Sequence, residues 1–506
     1  MLRRIFLYYQ NNYLAILSII FLTFLAWHKV LNQVFQGEGY MYFDPAQQFI
    51  DWHGLYGIWK YNNLARGLFD VFMPIFKDNI QSYQILMIVL MDGVYLSLYF
   101  VLEKITNSKI IAWATALFFA LNYSASFTLL GIGNYQRFAE RVPLFIPLVF
   151  SFYFLYLSFT KKSLLNYFLS LGLYSLAVFL GHFASLLLPL FFIFPFIELI
   201  DHKRSKKEII LRLLSAGLFV IVTSQIISHS DQPASSGLIN FLLHEPNLIE
   251  RTFYQIPMFM VPLDAFPLIN KLFFDPHLHE PYTLLVHYAT IICLGIYLIG
   301  FFLVFKNSRH LIVLFLTSFI AMVLCMFLYI YIDPRLNVLK NFGQDRYYFI
   351  PSLLAAISWA IILNSVSKKI VISRILTFLA VSAFVIYNTN TIWSNIDKIQ
   401  YQSVELKRFI DYTISLSPQF NDQTILVTPS YLQWALPIIT EFHSPKGLTV
   451  VGTDQWQNKL WPVKDNVFVI DYEFDKGIDK TTHPYAGHVV DFTQNYRKGE
   501  KIQFLN

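Results

Sequence analysis

The sequence predicts an α-helical polytopic membrane protein of about eleven transmembrane helices followed by a small extracytoplasmic α/β domain. Three observations predict it. The 506 residues are 56% hydrophobic and only 14% charged, with a mean hydropathy of +0.48; soluble globular chains carry about 25% charged residues. Apolar runs of roughly 20 residues, each long enough to cross the hydrocarbon core as a helix, recur along most of the length. Beyond residue 393 the composition changes to that of a soluble chain. A backbone in lipid must satisfy its own hydrogen bonds, and the period-2 alternation of a barrel is absent, so the spanning element is the helix.

The expected spans lie at 12–32, 83–103, 110–131, 142–160, 165–182, 185–200, 209–228, 283–305, 311–332, 350–366 and 375–393. The chain opens MLRRIF and runs into apolar sequence without a small-residue cleavage site, which predicts an uncleaved signal-anchor helix. The stretch 165–200 is too long for one span, so it is read as a hairpin with its tip at Gly181-His182. Short loops holding Arg3/Arg4, Lys104/Lys109, Lys161/Lys162, Lys203/Arg204/Lys206/Lys207, Lys306/Arg309 and Lys368/Lys369/Arg374 all fall on one side. Basic residues concentrate in cytoplasmic loops, so that side and the N-terminus are cytoplasmic. The large external loops 33–82 and 229–282, the shorter 132–141 and 333–349, and the tail then face the extracytoplasmic side of a plasma (inner) membrane.

Residues 1–393 are therefore read as the transmembrane domain and 394–506 as the soluble one. In the latter, Ile396–Leu416 and Tyr431–Glu441 predict helices. Thr424–Thr428, Leu448–Val451 and Val467–Asp471 predict short buried strands. Cys293 and Cys325 sit inside apolar runs and imply packing rather than a disulfide framework. The net charge of +6 comes from basic clusters between apolar runs, which is membrane orientation and not a nucleic-acid surface.

The most chemical stretch is Gly37–Trp59, GEGYMYFDPAQQFIDWHGLYGIW, with Glu38, Asp44 and Asp51 among aromatics. Asp44 precedes Pro45, so it suits the cap of a helix whose first turn holds the proline. A cap also fixes a carboxylate in place near the membrane surface. Arg137, Glu140 and Arg141 crowd the boundary between the third and fourth spans. On a helix they share a face, either as a salt-bridged start or as a phosphate clamp with a second carboxylate. Asp345, Arg346 and Tyr347 precede the tenth span, where the arginine could anchor at the headgroups or bind a lipid phosphate. His182 at the hairpin tip is a polar turn residue facing the same compartment. Asp92 lies inside the second span, where a carboxylate needs a partner or a cavity. His277, His279 and Glu280 lack a further ligand at metal-binding spacing, so no metal site is assigned.

This layout resembles the GT-C superfamily of membrane glycosyltransferases, whose members include protein O-mannosyltransferases, aminoarabinose transferases and oligosaccharyltransferase catalytic subunits. The resemblance covers about residues 1–393 as architecture, with loose motifs. It implies a polyprenyl-phosphate sugar as donor and a glycan, lipid or protein as acceptor. It makes Asp44 the active-site acid of the first external loop, Glu140 the acid after the third span, and Arg346-Tyr347 the holders of the donor phosphate. The family's paired acids are not intact here, where Asp44 is followed by proline. No cofactor is required by the sequence; a divalent cation, magnesium or manganese, is a candidate beside Arg141 and Arg346 for stabilising the leaving phosphate. A transporter or flippase of a lipid-linked or polysaccharide precursor, and an inactive scaffold of the same fold, are the alternatives.

Overall fold

The structure, a computed structural model, describes residues 2–33, 72–123, 138, 142–197, 206–228, 247–259, 279–307, 309–332, 348–367, 371–422, 424–428, 443, 449–452, 466–469 and 488–491. Its α-helices of seven residues or more are α1 (Leu2–Trp27), α2 (Ile80–Thr106), α3 (Lys109–Ala120), α4 (Phe145–Thr160), α5 (Leu164–Leu180), α6 (Leu188–Ile197) and α7 (Lys206–Ser228). They continue with α8 (Leu248–Tyr254), α9 (His279–Asn307), α10 (Arg309–Ile332), α11 (Phe349–Ser367) and α12 (Val371–Leu416). Among the described residues, five helices are long and apolar enough to cross a membrane, and five shorter ones are equally apolar. The chain is an α-helical membrane protein.

Local chemistry sets several helix ends. Asn79, Ser108 and Ser163 cap α2, α3 and α5, each accepting a hydrogen bond from an N–H of the first turn. Asn107 and Lys162 adopt left-handed backbone, φ 52° and 50°, where α2 turns into α3 and α4 into α5. Both turns are short, and each holds a basic cluster. The helix α3 ends at Ala120, whose carbonyl accepts a hydrogen bond from Trp27 Nε1 at 3.1 Å. Just beyond it the Asn122 amide donates to the Phe259 carbonyl and the Tyr123 N–H donates to Asn388 Oδ1. The expected sixth span opens with a 3-10 turn, His182–Leu187, before α6 begins.

The centre of the bundle is α11. Fifteen of its nineteen residues are buried, and it packs against α3, α9, α10 and α12. Gly300 of α9 meets it so closely that an added Cβ would lie 2.6 Å from the Ile362 side chain. By contrast α9 exposes Leu284, Tyr288, Ile291, Leu298, Phe302 and Phe305, and α1 exposes Leu14, Leu17, Phe21 and Phe24. Such stripes at helical spacing suit contact with lipid tails. Polar atoms in the spans close on their own helices: Thr115, Thr290, Thr317 and Ser358 each donate to the carbonyl four residues earlier. Others tie helices together, as Tyr99 does by donating to Asn12 Oδ1 at 2.9 Å. Cys325 is buried and Cys293 half-buried, and neither is in a disulfide.

The eleventh expected span and the helix expected at Ile396–Leu416 form one continuous helix, α12, of 46 residues. At ~1.5 Å per residue it is about 69 Å long, twice a bilayer core. The composition change expected after residue 393 thus falls inside a helix. Beyond it come β1 (Thr424–Thr428), β2 (Thr449–Gly452), β3 (Asn466–Val469) and β4 (His488–Asp491). They form a parallel sheet in the order β2-β1-β3-β4, and all five residues of β1 are buried. Three strands match the sequence reading, while β4 (HVVD) was not anticipated. The helix expected at Tyr431–Glu441 lies outside the described residues.

Candidate functional site

The chain leaves α1 through a 3-10 turn, His28–Asn32, and returns to the bundle at Phe72 and the cap of α2. Both points belong to one end of the bundle, here called the loop-bearing end. Gln33 organises it. Its Nε2 donates to the Ile396 carbonyl of α12 at 2.9 Å, and its own carbonyl accepts from Gln84 Nε2 at 2.8 Å. Trp393 Nε1 donates to the Leu25 carbonyl at 3.2 Å, and Lys29 pairs with Asp397 at 2.7 Å. The start of the projecting half of α12 is thereby strapped to the mouth of α1 and α2.

These straps bound a cleft of about 410 Å³ between the 3-10 turn, the start of α2 and the projecting part of α12. Its polar lining is Asn32, Gln33, Asp78, Asn79, Gln81, Lys407 and Asp411, and its apolar lining is Leu31, Ile80, Ile410 and Ile414. The volume lies within the ~300–1,000 Å³ range of small-molecule sites. Lys407 and Asp411 are four apart on α12 and share a face. Asp78 Oδ2 is held by His443 Nε2 at 2.7 Å, which fastens the segment between β1 and β2 to the rim. Carboxylates and amides over an aliphatic floor can bind hydroxyl groups above and the C–H face of a ring below.

A second polar group lies at the same end, around the 3-10 turn Ile256–Phe259, which follows α8 and touches the start of α11 and the residue just beyond α3. Gln255 and Thr252 are wholly buried and Arg251 is 8% exposed. Tyr348, at the start of α11, donates to Gln255 Oε1 at 2.5 Å, and Asn122 donates to the Phe259 carbonyl. Tyr254 donates to Glu250 at 2.6 Å and also meets His287 Nδ1 at 3.2 Å. Accepting that bond, Glu250 pushes the Tyr254 pKa up to about 12, with burial adding to it. Deeper in the bundle, Asp92 of α2 faces the Thr23 hydroxyl of α1, and its Oδ1 is buried without a hydrogen bond among the described residues.

Of the residues the sequence singles out, Glu38, Asp44, Asp51, Arg137, Glu140, Arg141, Asp345, Arg346 and Tyr347 lie outside the described residues. His182 falls in the 3-10 turn between α5 and α6. The described structure neither brings these groups together nor separates them. Sequence reasoning missed Arg251, Gln255, Asp78, Lys407 and Asp411. Arg251 and Gln255 belong to a stretch that reads as an amphipathic interfacial segment, and only their burial distinguishes them. Lys407 and Asp411 look like ordinary solvated helix charges; nothing in the sequence says that α12 returns past α1. Among the described residues, no three His, Cys, Asp or Glu side chains converge as a metal site would require. No protein-family model matches the chain, and no curated protein matches its sequence.

Proposed function

We propose that the chain is an integral-membrane inverting glycosyltransferase that moves a sugar from a polyprenyl-phosphate donor to an extracytoplasmic acceptor. One observation carries the reading. Gln33 and Asn79, described residues on either side of the stretch that holds Asp44, line a polar cleft of about 410 Å³. The cleft supplies groups suited to a hydroxylated ligand, and the sequence between Gln33 and Asn79 supplies carboxylates and aromatic rings for sugar binding. The loop-bearing end is extracytoplasmic, since the basic turns occupy the other end, and sugar nucleotides are not normally available outside the cytoplasm.

In this reading Asp44 takes the proton of the acceptor hydroxyl. The oxygen attacks the anomeric carbon from the face opposite the phosphate. The new C–O bond forms as the sugar–phosphate C–O bond breaks, and the electron pair leaves on the lipid phosphate. Arg137, Arg141, Arg346 and Tyr347 hold that phosphate, with a divalent cation as a further source of positive charge. Glu140 is the second acid, and Glu38, Asp51, His182 and Asp345 complete the set. The acceptor is a glycan, lipid or protein.

A lipid-precursor transporter is the second reading, favoured by Asp92 inside α2, since intramembrane carboxylates often mark a transport path. Two variants separate the readings. A transferase with Asp44→Ala loses turnover by about 10²–10⁴-fold at equal expression, the range of a general base, and tolerates Asp92→Asn. A transporter shows the reverse pattern in a flux assay.

A further inference from the structure

The first turn of α11 is surrounded by hydrogen-bond donors. Tyr348 precedes it and donates to Gln255 Oε1. With its oxygen so engaged, the Gln255 amide must turn its NH2 away, and Nε2 is buried with no acceptor among the described residues. Ser352 lies one turn into α11, its N–H bonded to the Tyr348 carbonyl at 2.8 Å. Its side chain is wholly buried. Unlike Ser358 in the same helix, which donates to the Leu354 carbonyl, its hydroxyl has no partner among the described residues. Arg251, four residues before Gln255, adds a buried positive charge. The start of a 19-residue helix adds the positive end of its dipole.

Unmatched buried donors are costly, and here two of them, Gln255 Nε2 and the Ser352 hydroxyl, belong to residues that both bond to Tyr348 at a helix N-terminus. The ligand chemistry that satisfies all of them is an anion with several acceptor oxygens. We infer that the N-terminal turn of α11, with Arg251, Gln255 and Ser352, is a phosphate-binding site. The phosphate can arrive on a lipid or as the free ion. Only the choice of a polyprenyl carrier rests on the transferase reading; the site itself rests on the donors.

The test uses the full-length protein in phosphatidylcholine nanodiscs, with polyprenyl phosphate, uncharged polyprenol and inorganic phosphate as probes. Polyprenyl phosphate should bind at least about tenfold more tightly than polyprenol. Ser352→Ala, a small change unlike a charge deletion, should weaken phosphate binding by about tenfold, as expected for a lost hydrogen bond to a charged group. Arg251→Ala should weaken it more, with partial recovery in Arg251→Lys. Displacement by inorganic phosphate at millimolar concentration identifies a free-phosphate site; its failure alongside lipid-phosphate binding identifies a lipid headgroup site. The inference is overturned if Ser352→Ala and Gln255→Leu, both folded by thermal melting, bind every phosphate probe as the wild type does. It is equally overturned if no probe prefers phosphate to alcohol. Phosphate binding without any sugar transfer would leave the site standing and remove the transferase.

Discussion

Tyr254 shows how one side chain at the loop-bearing end couples stability to pH. Its phenol donates to Glu250, which holds the proton on the folded chain up to about pH 12. The folded pKa is raised above the ordinary value near 10. The resulting stability is complete below pH 10 and is lost as pH rises through 12. Thermal melts in detergent should therefore fall across that window in the wild type and fall less in Tyr254→Phe; parallel curves would remove Glu250 as the cause. The same end shows what residue types conceal. Arg251 and Lys407 look alike in the sequence, yet the first is buried and the second lines an open cleft. Burial depends on which helices return to a place, and no local pattern records that.

Between helices, α9 approaches α11 closely at Gly300. A Cβ there would meet Ile362 at 2.6 Å, so the pair is held by the absence of a side chain. Gly300→Leu should cost about 1–3 kcal/mol as overpacking and lower the melting temperature, and Ile362→Ala in the same chain should restore part of it. An unchanged melting temperature in the single variant would show that the two helices separate easily. Helices were the legible part of this sequence, because spans need long apolar runs and the bundle supplies them. Their ends were less legible: around the end of α3, the Ala120 carbonyl and the Asn122 amide bond to Trp27 and Phe259, both distant in sequence. The continuity of α12 was hidden because its polarity changes at the membrane surface while its backbone does not. The strand β4 was too short to stand out, since four residues carry little periodicity. The cleft beside Gln33 and Asn79 was invisible, because α12 builds one wall from residues more than 300 positions away in sequence.

At the scale of the whole molecule, the straps from α1 to α12 and the bond from His443 to Asp78 join the membrane bundle to the chain beyond it. The orientation argued from basic turns predicts that alkaline phosphatase fused after Asn506 is active in bacterial cells. The same fusion after Lys162 should be inactive; the opposite result would place the cleft in the cytoplasm, where the proposed donor chemistry has no basis. The most direct measurement is transfer of a radiolabelled sugar from polyprenyl-phosphate donors in membranes, comparing wild type with Asp44→Ala at equal expression. The wild type should give labelled acceptor and released polyprenyl phosphate, and the variant should lose both. Equal transfer in the two would move the base away from Asp44, and no transfer by the wild type from any donor would contradict the glycosyltransferase reading itself.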